Sequence, residues 1–89
     1  MEIKYHPSVI QKDIPKLDKT VKERIKTSIE RKLGVDPVLY GIPLRNELRK
    51  LRKVRVGDYR ILFLLSDSIV FILAIGHRKD IYKSAYKRL

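Results

Sequence analysis

In the second half of the chain, cations and tyrosines stand where apolar runs begin and end: Arg52, Lys53 and Arg55, then Tyr59 and Arg60, then His77, Arg78 and Lys79, then Tyr82 and Tyr86. Such residues suit phosphate chemistry. The planar arginine fork grips two phosphate oxygens and never loses its charge. Arg60 and Arg78 lie near the ends of adjacent predicted strands, so they can converge on one phosphate. Histidine has the ordinary pKa best matched to proton transfer, which makes His77 a candidate. Successive strand residues point to opposite faces, however, so His77 and Arg78 are not expected to share one site. Plainer roles stand beside these. Arg60 can pair with Asp58 or Asp80, Tyr59 can pack the hairpin, Tyr82 and Tyr86 can pack the tail, and His77 can hold a turn or position a phosphate.

Charge says what such a set would meet. Lys+Arg number 21 against 10 Asp+Glu, a net charge of +11 on 89 residues. That excess lies mostly at the surface, repels itself and favours a polyanionic partner: RNA, DNA or an acidic protein. A plain basic domain with a solvated lysine and arginine face is the bland alternative. The chain has no cysteine, which excludes disulfides, thiolate chemistry and cysteine-based zinc sites. His6 and His77 are far apart and neither has a tight acidic cluster beside it, so no metal site and no cofactor is expected. The N-terminus MEIKYHPS lacks the apolar stretch of a signal peptide. The longest apolar run, Ile69 to Ile75, is far too short to cross a bilayer as a helix. The expected location is the cytoplasm, with no membrane partner.

The elements that must position these residues follow from periodicity. A chain of this length holds one domain, residues 1–89. Ile3 and Tyr5 alternate with Glu2, Lys4 and His6, which predicts a strand with one wet side. Pro7-Ser8 starts a short helix that Pro15 ends. Asp18 is a plausible cap for a longer helix in which Leu17, Val21, Ile25, Ile29 and Leu33 recur every four residues, up to Gly34. Lys22, Lys26 and Arg31 read as its solvated face. Asp36 to Pro43 reads as a loop pinned by Leu39 and Ile42, and Leu44 to Lys50 fits either a helical turn or an irregular approach to a strand. Three strands follow. In Leu51 to Val56, Arg52, Val54 and Val56 share one face and Leu51, Lys53 and Arg55 the other. Gly57-Asp58 turns into Tyr59 to Leu65, and Ser66 to Ser68 into Ile69 to Ile75. Ile81, Tyr82, Ala85, Tyr86 and Leu89 predict a tail helix. The expected fold is α+β: an antiparallel sheet of about four strands, two N-terminal helices on one face and a short C-terminal helix. Both central strands are apolar on both faces, so something must also cover the second face: the tail, the segment from Asp36 to Lys50, or a partner.

Two segments carry a resemblance. RVGDYRILF, from Arg55 to Phe63, is similar to the central hairpin of RelE/ParE-superfamily toxins, and IGHRKDIY, from Ile75 to Tyr82, to the end of the last strand in their RelE branch. The spacing and the element order match as well, over nearly the whole chain. The resemblance implies the toxin of a type II toxin–antitoxin system, a metal-independent endoribonuclease that cleaves mRNA on the ribosome. In RelE-type enzymes basic residues lie on the strand before the hairpin, an arginine follows the hairpin tyrosine, another ends the last strand, and a tyrosine stands in the tail. The positions that match here are Lys53 and Arg55, Arg60, Arg78, and Tyr82. The implied catalytic set is Lys53, Arg60, Arg78 and Tyr82, with Arg52, Arg55, His77, Lys79 and Tyr86 binding RNA. Two departures matter. The tail is shorter before its tyrosine, so Tyr86 rivals Tyr82. Leu51 stands where the best-known member has a second lysine, which implies either a weaker activity or a role shifted to Arg52.

That activity needs a base for the substrate's 2′-hydroxyl, charge to stabilise the phosphorane, and an acid for the departing 5′ oxygen. Tyr82, amid Arg78 and Lys79, suits the base, because positive charge favours the phenolate. Lysine gives up a proton more readily than arginine, so Lys53 suits the acid. The implied partners are the ribosome, mRNA and a cognate antitoxin with an acidic, partly disordered segment; the chain is expected to be monomeric when free and hetero-oligomeric with its antitoxin. The ParE branch of the superfamily offers a second reading, a DNA gyrase inhibitor without nuclease activity. A small structural nucleic-acid-binding protein, supported by net charge alone, is the third.

Overall fold

Strand β1 (Glu2–Tyr5) opens the chain in a computed structural model that describes all 89 residues. Pro7 and Ser8 lead into a wide helical turn, Val9–Asp13, and a 3-10 turn, Ile14–Lys16. Helix α1 (Lys19–Ser28) is capped by Asp18, whose carboxylate accepts the Val21 amide hydrogen at 2.9 Å. The rod continues through a π turn, Ile29–Leu33, to Gly34. Leu17, Ile25, Ile29 and Leu33 are buried, as the four-residue stripe requires.

The next segment departs from expectation. It holds a single helical turn, α2 (Pro37–Tyr40), and a two-residue strand, β2 (Ile42–Pro43). Pro37 and Gly41 are the residues buried there, while Leu39 and Ile42, expected to pin the loop, are exposed. The cause is local. Asp36 accepts the Leu39 amide at 3.0 Å and Pro37 takes the first helical position, which turns Pro37 inward. At 3.6 residues per turn, a residue two places on faces the other way. A 3-10 turn, Asn46–Leu48, then leads to β3 (Leu51–Val56), β4 (Tyr59–Ser66), β5 (Ile69–His77) and α3 (Ile81–Arg88).

The sheet has five strands rather than about four, in the order β1-β5-β4-β3-β2. It is also mixed: β2 to β5 form an antiparallel run, but β1 pairs parallel with β5, Ile3 opposite Val70. The helical layer and the meander lie between those two strands in sequence and bring the chain round to the same direction. The tight β3–β4 turn needs Gly57, which sits at φ +61°.

Each face of the sheet has its own core. On the first, α1 and the preceding turns bury Val54, Val56, Ile61, Phe63, Val70, Ile72 and Ile75. On the second, Leu51, Leu62, Leu73 and Ala74 meet Ile81 and Ala85 of α3, flanked by Leu44 and Leu48. The tail helix and the Leu44–Leu48 segment are thus what cover the second face. A bulge opposite Leu62 and Phe63 shifts the register so that Leu73 and Ala74 lie on the same side. Alternation restarts beyond it, with Gly76 on the second face and His77 on the first. A Cβ at Gly76 would stand 3.0 Å from Ile81 Cδ1, so a larger residue there requires the Ile81 side chain to shift.

β1 ends at Tyr5, opposite Ile72, so the later residues of β5 lose their outer strand. Side chains replace it. The Ile75 amide donates to Asp13 at 2.9 Å, and Arg88 donates to the Leu73 carbonyl at 3.0 Å. Arg88 also grips both oxygens of Asp13, at 2.7 and 2.9 Å. The last turn of α3 is thereby tied to the N-terminal helical layer.

Candidate active site

Strand alternation builds the site on the second face. Leu62 and Leu51 belong to the core there, so Lys53 and Arg55 of β3 and Arg60 of β4 project to the same side. Arg55 is the cross-strand partner of Arg60. Two like charges directly opposite each other destabilise a sheet. Neither has a carboxylate: the ion pairs in the molecule are Arg78–Asp58 and Arg88–Asp13. Arg60 is only 6% exposed. One of its guanidinium nitrogens donates to the carbonyls of Gly57 (3.0 Å) and Tyr59 (2.9 Å), so it holds the hairpin turn without losing its charge.

Tyr82, in the first turn of α3, packs on the second core, and the Lys53 ammonium stands 6.0 Å from its ring centroid. That is cation–π distance. Tyr86 lies one turn further along α3, is mostly exposed and has no such contact. Arg78 follows β5, and its amide donates to the Asp58 carbonyl at 2.8 Å. Its side chain makes a loose pair with Asp58 at 3.9 Å and is more than half exposed. Pairs of this kind hold a side chain weakly. Arg60, through its side chain, and Arg78, through its amide, therefore both contact the Gly57–Asp58 turn.

The remaining candidates lie elsewhere. His77 is on the first face, edge-on to Tyr59 with ring centroids 5.6 Å apart. Its Nδ1 accepts the Lys79 amide at 3.2 Å, which leaves Nε2 as the nitrogen that carries the hydrogen. His77 and the exposed Lys79 form a turn rather than part of the Lys53 corner. Arg52 also points to the first face and donates to the Gly41 carbonyl at 3.0 Å, fastening the turn before β2. The bulge and the alternation of β3 separate these residues from the others.

Arg24 was missed by sequence reading. Its guanidinium lies 3.2 Å from where a Cβ of Gly57 would stand. With Lys19, Lys32 and Arg55 it lines an open cleft of about 590 Å³ between α1 and the β3–β4 hairpin. Its spacing from Thr20, Thr27 and Ser28 marks a polar stripe on α1, but nothing local says that a hairpin meets that stripe. No group of three or more histidine, cysteine, aspartate or glutamate side chains is gathered as for a metal ion. No helix is long and apolar enough to cross a membrane.

Known proteins share this fold. A family model described as "ParE toxin of type II toxin-antitoxin system, parDE" matches residues 3–82. The chain is 42% identical over 53 residues to Toxin RelG of Mycobacterium tuberculosis (strain ATCC 25618 / H37Rv), a match that takes in 57% of this chain and 61% of that protein's length. A chain of the M. tuberculosis toxin-antitoxin complex RelBE2 superposes with a TM-score of 0.79 at 28% identity, over 86% of this chain and 96% of that one. The isolated E. coli RelE toxin shares the fold with a TM-score of 0.70 at 22% identity, over 98% of this chain and 96% of that one. The chain belongs to the ParE toxin family of type II toxin-antitoxin systems, within the RelE/ParE superfamily.

Proposed function

We propose that this chain is the toxin of a type II toxin–antitoxin pair and acts as a ribosome-dependent endoribonuclease on mRNA. One observation carries the reading: Lys53, Arg55 and Arg60 share a face with no carboxylate among them, and the Tyr82 ring lies against the Lys53 ammonium. A fold that keeps like charges opposite each other gives up stability there, and a polyanion restores the balance. The similarity to Toxin RelG supports the same branch.

The reaction uses the substrate's own 2′-hydroxyl. Its oxygen bonds to the adjacent phosphorus as Tyr82 takes its proton. Arg78 holds the non-bridging oxygens, whose charge grows in the phosphorane, and Arg60, enclosed against the hairpin turn, adds its positive field. The bond from phosphorus to the 5′ oxygen breaks, and Lys53 supplies that oxygen's proton. The products are a 2′,3′-cyclic phosphate and a 5′-hydroxyl. Arg55, Lys79 and Tyr86 are assigned to flanking nucleotides, on their charge and ring alone. An acidic antitoxin is the expected partner, since a relative of the same fold was solved as a toxin-antitoxin complex.

Induced expression with primer-extension mapping of translated mRNA tests the reading. Growth arrest with discrete cuts is the expected result, and Arg78→Ala, at an exposed position, should stay folded and lose both. Uncut mRNA in arrested cells would overturn it. The family description favours one other reading, a ParE-like inhibitor of DNA gyrase. Inhibition of gyrase supercoiling by the purified chain, with mRNA intact, would establish that instead.

A further inference from the structure

Where β1 stops, the outer edge of β5 is only partly covered, and a pocket of about 210 Å³ opens there between α3 and the N-terminal helical turns. Its floor is apolar, since Leu17, Ile75 and Ile81 are all buried. One wall is the edge-on pair of Tyr59 and His77. The strand itself supplies polar groups. The Ile75 amide points away from β4, to Asp13, while the Arg78 amide bonds back to the Asp58 carbonyl. In an antiparallel pair both backbone groups of a residue face the same way, and the direction alternates along the strand. The Ile75 carbonyl and the His77 amide hydrogen therefore face outward into the pocket, and no bond outside the strands takes either. The neighbouring edge groups are already closed: the Leu73 carbonyl by Arg88, the His77 carbonyl by the Asp80 amide. One acceptor and one donor are too few to hold an added strand. Beside two aromatic rings they suit a single flat ring system.

Asp80 completes the set. Its carboxylate lies on the rim, makes no ion pair and does not cap α3. Asp13 also lines the pocket, but Arg88 and the Ile75 amide occupy its oxygens. The pocket thus offers two acceptors, Asp80 and the Ile75 carbonyl, and one donor, the His77 amide. Among the bases of RNA, guanine has the matching pairing edge: N1–H and the N2 amine donate, and O6 accepts. Adenine, cytosine and uracil each bring a single donor group to that edge. Lys16 on the rim, with Arg78 and Lys79 in the turn between His77 and Asp80, supplies cations for the phosphate.

We infer that this pocket binds a guanine nucleotide, with the base against Tyr59 and His77 and its pairing edge on Asp80, the Ile75 carbonyl and the His77 amide. The site does not depend on whether the chain cuts mRNA. A free nucleotide and a guanine within an RNA strand share this chemistry, so both are titrated against the purified chain while NMR follows the His77 ring signals. Guanosine monophosphate should shift those signals saturably and bind about tenfold or more tighter than the adenosine, cytidine or uridine monophosphate. Asp80→Ala, at an exposed position, should melt like the native chain and bind all four alike. Ser84→Leu, which fills the pocket from α3, should abolish the shifts. Equal affinity for the four nucleotides in the native chain would overturn the inference. So would the same shifts with inorganic phosphate alone, or native guanosine monophosphate binding in both variants. A short oligoadenylate with one central guanine then separates the sources. Tighter binding than the monophosphate assigns the pocket to an RNA strand, and equal or weaker binding assigns it to the free nucleotide; either result upholds the site.

Discussion

Arg60 and Arg88 both hold a guanidinium against the sheet, largely out of solvent, yet they are held in opposite ways. Arg88 meets a carboxylate face to face: Asp13 accepts two hydrogen bonds from it and a third from the Ile75 amide. Arg60 meets only carbonyl oxygens, and the residue opposite it is another arginine. Charge answered within the fold becomes structure. Charge left unanswered costs stability, and its field is available to a ligand. The distinction does not follow burial, since both side chains are mostly enclosed.

The widest separation between the two regions should come from removing one member of each. Lys53→Ala should lower mRNA cleavage about a hundred- to ten-thousandfold, the usual span for a general acid or base, with the urea midpoint unchanged. Coincident losses of cleavage and stability would break the comparison. Asp13→Ala should do the reverse. It strands Arg88 and the Ile75 amide, which costs about 3–5 kcal/mol in urea unfolding; the protein that remains folded should keep its cleavage rate. Combining Asp13→Leu with Arg88→Met should recover only the part due to the stranded Arg88, because the Ile75 amide still lacks its acceptor.

Smaller effects sharpen the contrast. Arg55→Ala removes a like charge opposite Arg60, so stability should rise by about 0.5 kcal/mol. RNA affinity should fall, and the slope of log Kd against log salt should shrink by about one. Stability and RNA binding moving in the same direction would contradict the reading of that corner. The smallest effect concerns pH. Burial, and next the Glu30 carboxylate, raise the Tyr5 phenol above its ordinary value of 10.0. Below that value the phenol is neutral in both folded and unfolded chains, and its contribution is complete. Above it the unfolded chain ionises first, so stability is lost as pH rises through the folded value. Tyr5→Phe should flatten this alkaline decline in melting temperature. Arg88 should add nothing to the profile at physiological pH. Its hydrogen bond to Asp13 raises an already high pKa, with burial opposing, so its loss falls only in strong alkali.

What could be read from the sequence was local. The Asp18 cap and the stripe from Leu17 to Leu33 concern residues within one or two turns of each other, and both appear as expected. Alternation along β3 put Lys53 and Arg55 on one side and Arg52 on the other before any partner strand was known. The misreading at Leu39 and Ile42 was local too. An apolar residue in a loop invites burial, but a cap and a proline had already turned Pro37 inward in its place.

By itself, then, the sequence determined the element order, the faces of the strands, the excess of positive charge and, through two short motifs, the superfamily. Each depends on side-chain periods of 2 and 3.6 or on residues a few places apart. Only the tertiary structure decided which cations keep their charge unanswered. Asp13 and Arg88 are 75 positions apart, and nothing near either one marks the other. They meet because β1 stops short of the end of β5 and α3 folds back over the exposed edge. The bulge at Leu73 likewise sends His77 away from Lys53, while α3 brings Tyr82 to it. These are outcomes of closing the chain on itself, where one unpaired amide or one extra residue in a strand chooses the partner of a charge far away in sequence.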